Sequence, residues 1–277
     1  MPASSDSPPE PAQRAYHPSP FIRGSVALHV AAAGALIARP GLWPWALAAV
    51  LANHLALTAA GLWPRAALLG PNYTRLPAGA VARGEIAITI DDGPDPDVTP
   101  AVLALLDKHD ARSSFFCVGA HIARYPQLAR EIVARGHSVE NHTQHHLHRF
   151  SLLGPRAMRS EVVGAQESIG FATGVVPRFF RAPAGLRNPF LEPQLARAGL
   201  TLVSWTRRGF DTVATSPEPV LRRLTQRLTA GDILLLHDGH AARTAGGTPL
   251  ILEVLPRLLA AVRAAGLKPV TLRAAWA

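Results

Sequence analysis

The chain has 277 residues, 48% of them apolar, a formal net charge of +9 and a single cysteine. That length supplies one large domain with an appendage, and one cysteine excludes an internal disulfide framework. The positive balance comes from scattered Arg, with Lys only at Lys108 and Lys268, and no basic run alternates with aromatics, so the charge does not read as a nucleic-acid surface.

Residues 1–22 are rich in Pro and Ser without an apolar period, and read as a disordered tail. Residues 23–64 hold two uncharged apolar stretches, Gly24 to Ala38 and Leu42 to Trp63, parted by Arg39-Pro40-Gly41. A membrane span needs about 20 apolar residues. The second stretch has that length and the first is short. Trp43, Trp45 and Trp63 stand at its two ends, where interfacial anchors belong. Asn53 and His54 inside it call for a partner helix. A soluble, buried helical hairpin is the alternative. A cleaved signal peptide fits poorly, because the apolar region starts late and continues past a Pro-Gly turn. Residues 65–83, with Gly70-Pro71-Asn72 and Pro77-Ala78-Gly79, read as a linker.

From Gly84 short apolar runs alternate with amphipathic segments over residues 84–277. Ile86 to Ile90 reads as a buried strand, Thr99-Pro100 starts a helix, and Ser113 to Val118 is a second strand. A helix over Pro126 to Arg135 ends at Gly136, and Ser138-Val139 leads a third strand into a histidine cluster. Helices follow over Arg156 to Ile169, Pro189 to Ala198, Pro219 to Leu228 and Pro249 to Ala265. Strands are expected at Arg178-Phe179-Phe180, Leu200 to Trp205, Ile233 to Leu236 and Val270-Thr271-Leu272. Repeated strand-then-helix units argue for an α/β fold with a parallel sheet, open or closed as a barrel.

Two stretches carry chemistry. Thr89-Ile90-Asp91-Asp92-Gly93-Pro94 sets adjacent carboxylates where a buried strand meets a turn, the end at which β/α folds place their sites. Alone it could be a polar turn. His142-Thr143-Gln144-His145-His146 sets two imidazoles four residues apart; on one helical turn they would face the same way. Two His and one carboxylate leave a metal with open positions, whereas a His-rich surface loop is the plain alternative.

These residues resemble the polysaccharide deacetylases, the NodB-homology or carbohydrate esterase 4 family. Thr89 to Gly93 is similar to the Thr-Phe-Asp-Asp-Gly motif, and His142 to His146 to the His-Ser/Thr-x-x-His motif. Arg181-Ala182-Pro183-Ala184-Gly185 resembles a third, usually Arg-Pro-Pro-Tyr-Gly. Trp205 and Asp211 resemble a fourth, with Thr212 where Trp is usual, and Leu235-Leu236-His237 a fifth. The resemblance implies a distorted (β/α) barrel of the NodB-homology type behind an N-terminal membrane-associated helical segment. It also implies hydrolysis of an N-acetyl group on an amino-sugar glycan or glycolipid. By the same resemblance Asp92, His142 and His146 hold a divalent metal, commonly zinc, and Asp91 is the base. His237 protonates the leaving amine, Asp211 orients His237, and Arg181 fixes Asp91. Leu235, Trp205 and Ala184 contact substrate, Leu235 and Trp205 lining the acetyl pocket and Ala184 through its backbone N–H. His145 and His148 are expected as solvated neighbours.

The partners this implies are an acetylated glycan or glycolipid and a membrane, and no nucleic acid. A catalytically silent glycan-binding module and a hairpin that recruits other proteins are the competing readings. Two spans would place both termini on one side. Arg23 and Arg65 against Arg39 favour the inside, whereas a glycan substrate outside the cell favours an envelope-facing domain.

Overall fold

A computed structural model describes residues 13–277, so most of the expected tail, residues 1–12, lies outside the described residues. What is described of that stretch is anchored: the Arg14 N–H donates to the Ala196 carbonyl and its guanidinium pairs with Glu192 at 2.6 Å.

Two helices follow, α1 (Pro20–Ala38) and α2 (Trp43–Leu62). Ser19 starts the first, its hydroxyl accepting from the Ile22 N–H ahead of Pro20 at the first helical position. The two helices lie against each other. Asn53 Nδ2 donates to Ser25 Oγ at 2.8 Å, and His29 and His54 meet through their Nε2 atoms at 3.3 Å. The polar residues of α2 thus find partners on α1. Both helices are long and apolar enough to cross a membrane. Only Ser25, Ala60 and Gly61 are buried along them, while Ile37 is 85% and Trp45 76% exposed. So large a bare apolar surface marks an interaction site. The base of the hairpin meets the rest of the chain closely. The Arg187 N–H donates to the Gly61 carbonyl, and any side chain at Gly61 would collide with the Arg187 carbonyl.

The remaining chain forms eight strands: β1 (Glu85–Asp91), β2 (Ser114–Cys117), β3 (Ser138–Asn141), β4 (Phe179–Phe180), β5 (Thr201–Leu202), β6 (Arg207–Arg208), β7 (Ile233–His237) and β8 (Lys268–Pro269). All pairings are parallel, in the order β5-β4-β3-β2-β1-β7-β6, with β8 beside the start of β1. Alternation along β1 sorts its residues. Ile86, Ile88 and Ile90 pack into the main core with Leu234 and Leu236 of β7 and the surrounding helices. Ala87 faces the inner cluster with Phe116 and Ile233, while Thr89 and Asp91 reach a buried arginine. The inner face of the sheet therefore turns polar only at its C-terminal end.

The expected distorted (β/α) barrel takes the form of a curled parallel half-barrel. β5 and β6 are the two edges of the strand path, yet only residues 203–206 separate them in the chain, so the sheet must curl. The edges do not pair. The seam is filled by the stretch expected as a linker. The Tyr73 N–H donates to the Leu202 carbonyl, the Leu76 N–H donates to the Gly231 carbonyl, and Arg75 pairs with Asp232 at 2.9 Å. Leu69, Leu76 and Ala80 are buried there. Two further expectations differ. Regular pairing at Leu200 to Trp205 is confined to Thr201–Leu202, because the chain must turn across the seam. Val270 to Leu272 is not a strand: Thr271 Oγ1 accepts from the Ala274 N–H and caps a final helix, Leu272–Ala275.

Buried Glu140 on β3 ties distant segments together. It accepts from Arg273 Nε at 2.7 Å and from the N–H groups of Arg178 and Phe179 at 2.9 and 3.0 Å. Glu140→Ala leaves a cation and two amides without an acceptor and is expected to cost about 3–5 kcal/mol, and Glu140→Gln less. Thermal unfolding of the two variants in detergent checks the order.

Candidate active site

β1 and β7 run side by side in a register that sets Asp91 opposite His237. β3 ends at Asn141 and β4 at Phe180, so His142 and Arg181 follow at the same level. Four strand ends thus deliver the polar groups to one mouth, the C-terminal end of a parallel sheet. The chain leaves β1 sharply. Asp92 adopts a φ of 77° and its N–H donates to the Phe116 carbonyl. Gly93 must be glycine, because a Cβ would collide with the Asp238 carboxylate. Asp238 accepts from Thr99 Oγ1 at 2.5 Å and from the Gly239 N–H, and burial pushes its carboxyl up to about 7 despite those bonds.

His142 and His146 do not share a helical turn, as the spacing had suggested. Asn141 Oδ1 accepts from the Thr143 N–H at 2.9 Å and Thr143 Oγ1 from the His146 N–H at 3.0 Å. These local bonds replace the helical ones and hold Thr143 and His146 at φ of 67° and 49°. The result still brings both imidazoles to one carboxylate. Asp92 Oδ1 lies 3.2 Å from His142 Nε2 and 3.2 Å from His146 Nε2. His142 Nδ1 is 2.8 Å from the Arg181 carbonyl. As its donor there, it leaves the Nε2 lone pair free, the arrangement that orients a ligating histidine.

The electrostatics fit a divalent cation. One ligand atom from each of Asp92, His142 and His146 lies within 4.8 Å of the others, and Asp92 Oδ1 is buried without a hydrogen-bond partner. Burial would raise the Asp92 carboxyl, but the adjacent His142 and His240 imidazoles and the charge of His237 hold it well below the usual range. Burial, then the charge of His142, brings His146 down to about 4 against the pull of Asp92 and Asp91. At neutral pH the set is a carboxylate with a neutral His146, and a ligand must be deprotonated. His145 stands apart, its Nδ1 2.8 Å from Glu161 Oε1.

Arg181 and Asp211 lie behind this layer. The Arg181 guanidinium, 1% exposed, donates to Asp91 Oδ1 at 2.6 Å, to Thr89 Oγ1 and to the carbonyls of Val203 and Ser204. Asp211, fully buried, accepts the His237 N–H at 2.7 Å through one oxygen and meets His237 Nδ1 at 2.9 Å through the other. Burial alone would lower His237, but the Asp211 hydrogen bond and the charges of Asp211, Asp91 and Asp92 raise it above the ordinary value.

A cleft of about 630 Å³ opens over these groups. Asp91, Asp92, His142, His146, His237, Leu235, Trp205 and Ala184 all line it. Sequence reasoning did not single out three other lining residues. His121 sets Nδ1 2.8 Å from the Asp92 carbonyl, His240 sets Nδ1 3.6 Å from Asp92 Oδ2, and Arg208 stands at the wall. A second histidine three residues after His237 was a visible signal; His121 and Arg208 gave none.

The model of the polysaccharide deacetylase family matches residues 78–203. A chitooligosaccharide deacetylase from Bradyrhizobium sp. is 35% identical over 156 residues, which cover 56% of this chain and 71% of the relative. The chain belongs to the polysaccharide deacetylase family. It is a hydrolase of the type that cleaves N-acetyl amide bonds. A peptidoglycan-N-acetylglucosamine deacetylase from Bacillus cereus is 34% identical over 176 residues, covering 62% of this chain and 81% of the relative. Among solved structures, a family 4 carbohydrate esterase from Streptomyces lividans bound to acetate superposes with a TM-score of 0.61 at 32% identity, covering 67% of this chain and 91% of that one. A Bacillus anthracis pseudoenzyme of the same family shares the fold at 21% identity and a TM-score of 0.65, covering 74% of this chain and 69% of that one. The apolar helices α1 and α2 precede the family match.

Two measurements follow from this geometry. His142→Ala is expected to lose most bound divalent metal while His145→Ala stays loaded, and elemental analysis of both checks it. A His237 pKa raised by folding stabilises the fold below the unfolded value of about 6.5, and that gain is lost as pH rises through the folded value. In Asp211→Asn the folded pKa of His237 is expected to fall, which NMR titration of its ring proton reads directly.

Proposed function

We propose that this protein is a membrane-anchored, metal-dependent deacetylase of an amino-sugar glycan or glycolipid in the cell envelope. The observation that carries the proposal is the division of labour between adjacent acids. Asp92 faces two imidazoles with an unpartnered oxygen, while Asp91 is held by Arg181. Family relatives named for chitooligosaccharide and peptidoglycan deacetylation support the substrate class.

In this reading Asp92, His142 and His146 hold the ion, and two imidazoles with one carboxylate suit zinc. A bound ion supplies Lewis acidity, polarising the amide carbonyl and acidifying water. Asp91 takes the proton from the attacking water; its Oδ1 is occupied by Arg181, so Oδ2 is the accepting atom. The new C–O bond gives a tetrahedral oxyanion, which the Ala184 N–H at the cleft wall helps to stabilise. His237 then donates its proton to the amide nitrogen as the C–N bond breaks, releasing acetate and the free amine. Asp211 keeps His237 in the donor form. Leu235 and Trp205 enclose the acetyl methyl. Ala184 stands where the family usually has an aromatic side chain, so stacking on a sugar ring is reduced there. A silent binding module would have no need of an Arg181-clamped acid or a hydrogen-bonded His237-Asp211 pair.

Asp91→Asn is expected to keep its metal and lose turnover by at least ~10²-fold, whereas Asp92→Asn loses metal as well as rate. Metal content and amine release from N-acetylglucosamine oligomers, with and without chelator, separate the two. An Asp91→Asn enzyme with full turnover sinks this mechanism.

The anchor is the hairpin of α1 and α2. The full-length protein is expected to stay in the membrane fraction through a carbonate or high-salt wash. Release by salt alone would mean peripheral binding through the basic surface instead.

A further inference from the structure

Arg208 is a cleft cation without a counter-charge. It sits on β6 in register with Leu235, so both side chains leave the same face of the sheet, and both line the cleft. The surrounding cations are matched. Arg181 pairs with Asp91 at 2.6 Å, and Arg207, the next residue, pairs with Asp232 at 2.8 Å. Asp211 is taken by His237. Among the described residues no carboxylate pairs with Arg208, and its Nε is buried without a hydrogen-bond partner.

The guanidinium is nevertheless positioned. Its carbon lies 5.4 Å from the centroid of Trp205 and 5.0 Å from that of Phe210. Aromatic contacts engage the flat faces of a guanidinium and leave its N–H edge available for a two-pronged acceptor. A cation held this way without an anion is costly in a partly dry site, and a substrate anion removes that cost. A second cation is close by. Exposed Arg65 reaches the Thr206 carbonyl with Nη1 at 3.4 Å, two residues from Arg208. Arg65 follows Pro64, which packs against Gly185 of the cleft wall. Pro64 thus ties this part of the cleft wall to the end of the hairpin.

We propose that Arg208 is an anion-binding, specificity-determining residue, and that the amino sugar this enzyme accepts carries a phosphate beside its N-acetyl-bearing ring. Phosphate is favoured over carboxylate because it carries up to a second negative charge, and exposed Arg65, bonded to the Thr206 carbonyl two residues from Arg208, adds further positive charge to meet it. A phosphate ester also presents paired oxygens to a planar fork. The proposal deepens the deacetylase reading and rests on it for the sugar, while the anion site is testable by binding alone. The phosphate has two possible sources: a soluble sugar phosphate, or the phosphate that joins a sugar to a lipid at the hairpin's base.

The test uses the full-length, metal-loaded protein in detergent with three probes. These are N-acetylglucosamine, N-acetylglucosamine 1-phosphate and the same sugar phosphate esterified to a polyprenol. Calorimetry gives affinities and amine release gives kcat/KM, for wild type, R208Q and R208K. Wild type is expected to favour at least one phosphorylated probe over the neutral sugar by about 10- to 100-fold, the range of one charge-assisted hydrogen-bond pair. R208Q should bring that ratio to near one, R208K should restore part of it, and added salt should weaken it. A preference in both phosphorylated forms means that phosphate alone is read; a preference only in the polyprenol form assigns the phosphate to a lipid linkage. Equal ratios in wild type and R208Q overturn the proposal. If R208Q does not fold, the comparison of R208K with wild type decides, and an undiminished ratio at high salt overturns it. Arg208-dependent binding without amine release from any probe leaves the anion site standing and removes the deacetylase reading instead.

Discussion

The buried guanidinium of Arg181 holds the site together. Its N–H groups reach Thr89 and Asp91 on β1 and the carbonyls of Val203 and Ser204 on the seam crossing, while its own carbonyl meets His142 Nδ1. One residue thus connects the clamped acid, a candidate metal ligand and the closing edge of the half-barrel. The arrangement is affordable because the cation is almost fully satisfied: four acceptors, one of them the ion-paired Asp91 carboxylate, and the face of Phe116 at 4.0 Å. Burial lowers its pKa, with the Asp91 charge and hydrogen bond opposing the shift. A buried charge of this kind is tolerated only with such partners, and breaking one bond exposes the others to the full desolvation penalty.

The backbone around the cleft is held in uncommon conformations for related reasons. Asp92, His146, Ala184 and His240 all have positive φ and all line the cleft. Non-glycine residues adopt this region at a cost, and the surrounding hydrogen bonds must over-determine it. At Asp92 the fixed neighbours are Phe116 and His121, each bonded to its backbone. At His146 the fixing group is Thr143. Four of the positive-φ residues thus stand where side chains must converge.

Much of this was legible in the sequence, for a physical reason. A strand buried on both faces writes a continuous apolar run, so β1 and β7 were visible, and the acids and His237 stood at their ends. The motif order carried the rest of the family resemblance. Other features left no local trace. β4, β5 and β6 are two residues each, too short to show a period, and the turn between β5 and β6 is set by the far side of the sheet. The 65–83 stretch read as a linker because its buried positions, Leu69, Leu76 and Ala80, follow no single period. The helical turn expected for His142 and His146 lost to side-chain bonds from Asn141 and Thr143. Arg208 was one of many arginines until its lack of a partner set it apart.

The close contact between Gly61 and Arg187, with Pro64 against Gly185, leaves little slack between hairpin and cleft. With the hairpin in a bilayer, such a joint fixes the height of the catalytic mouth and limits its reach into the aqueous phase. Encounters would then take place in a thin sheet rather than in a volume. Under the proposed membrane anchoring, glycans presented at the membrane surface would be sampled by lateral diffusion, and the relevant abundance would be molecules per unit area. A distant layer of polymer would be invisible to the enzyme however well its sugar fitted the cleft.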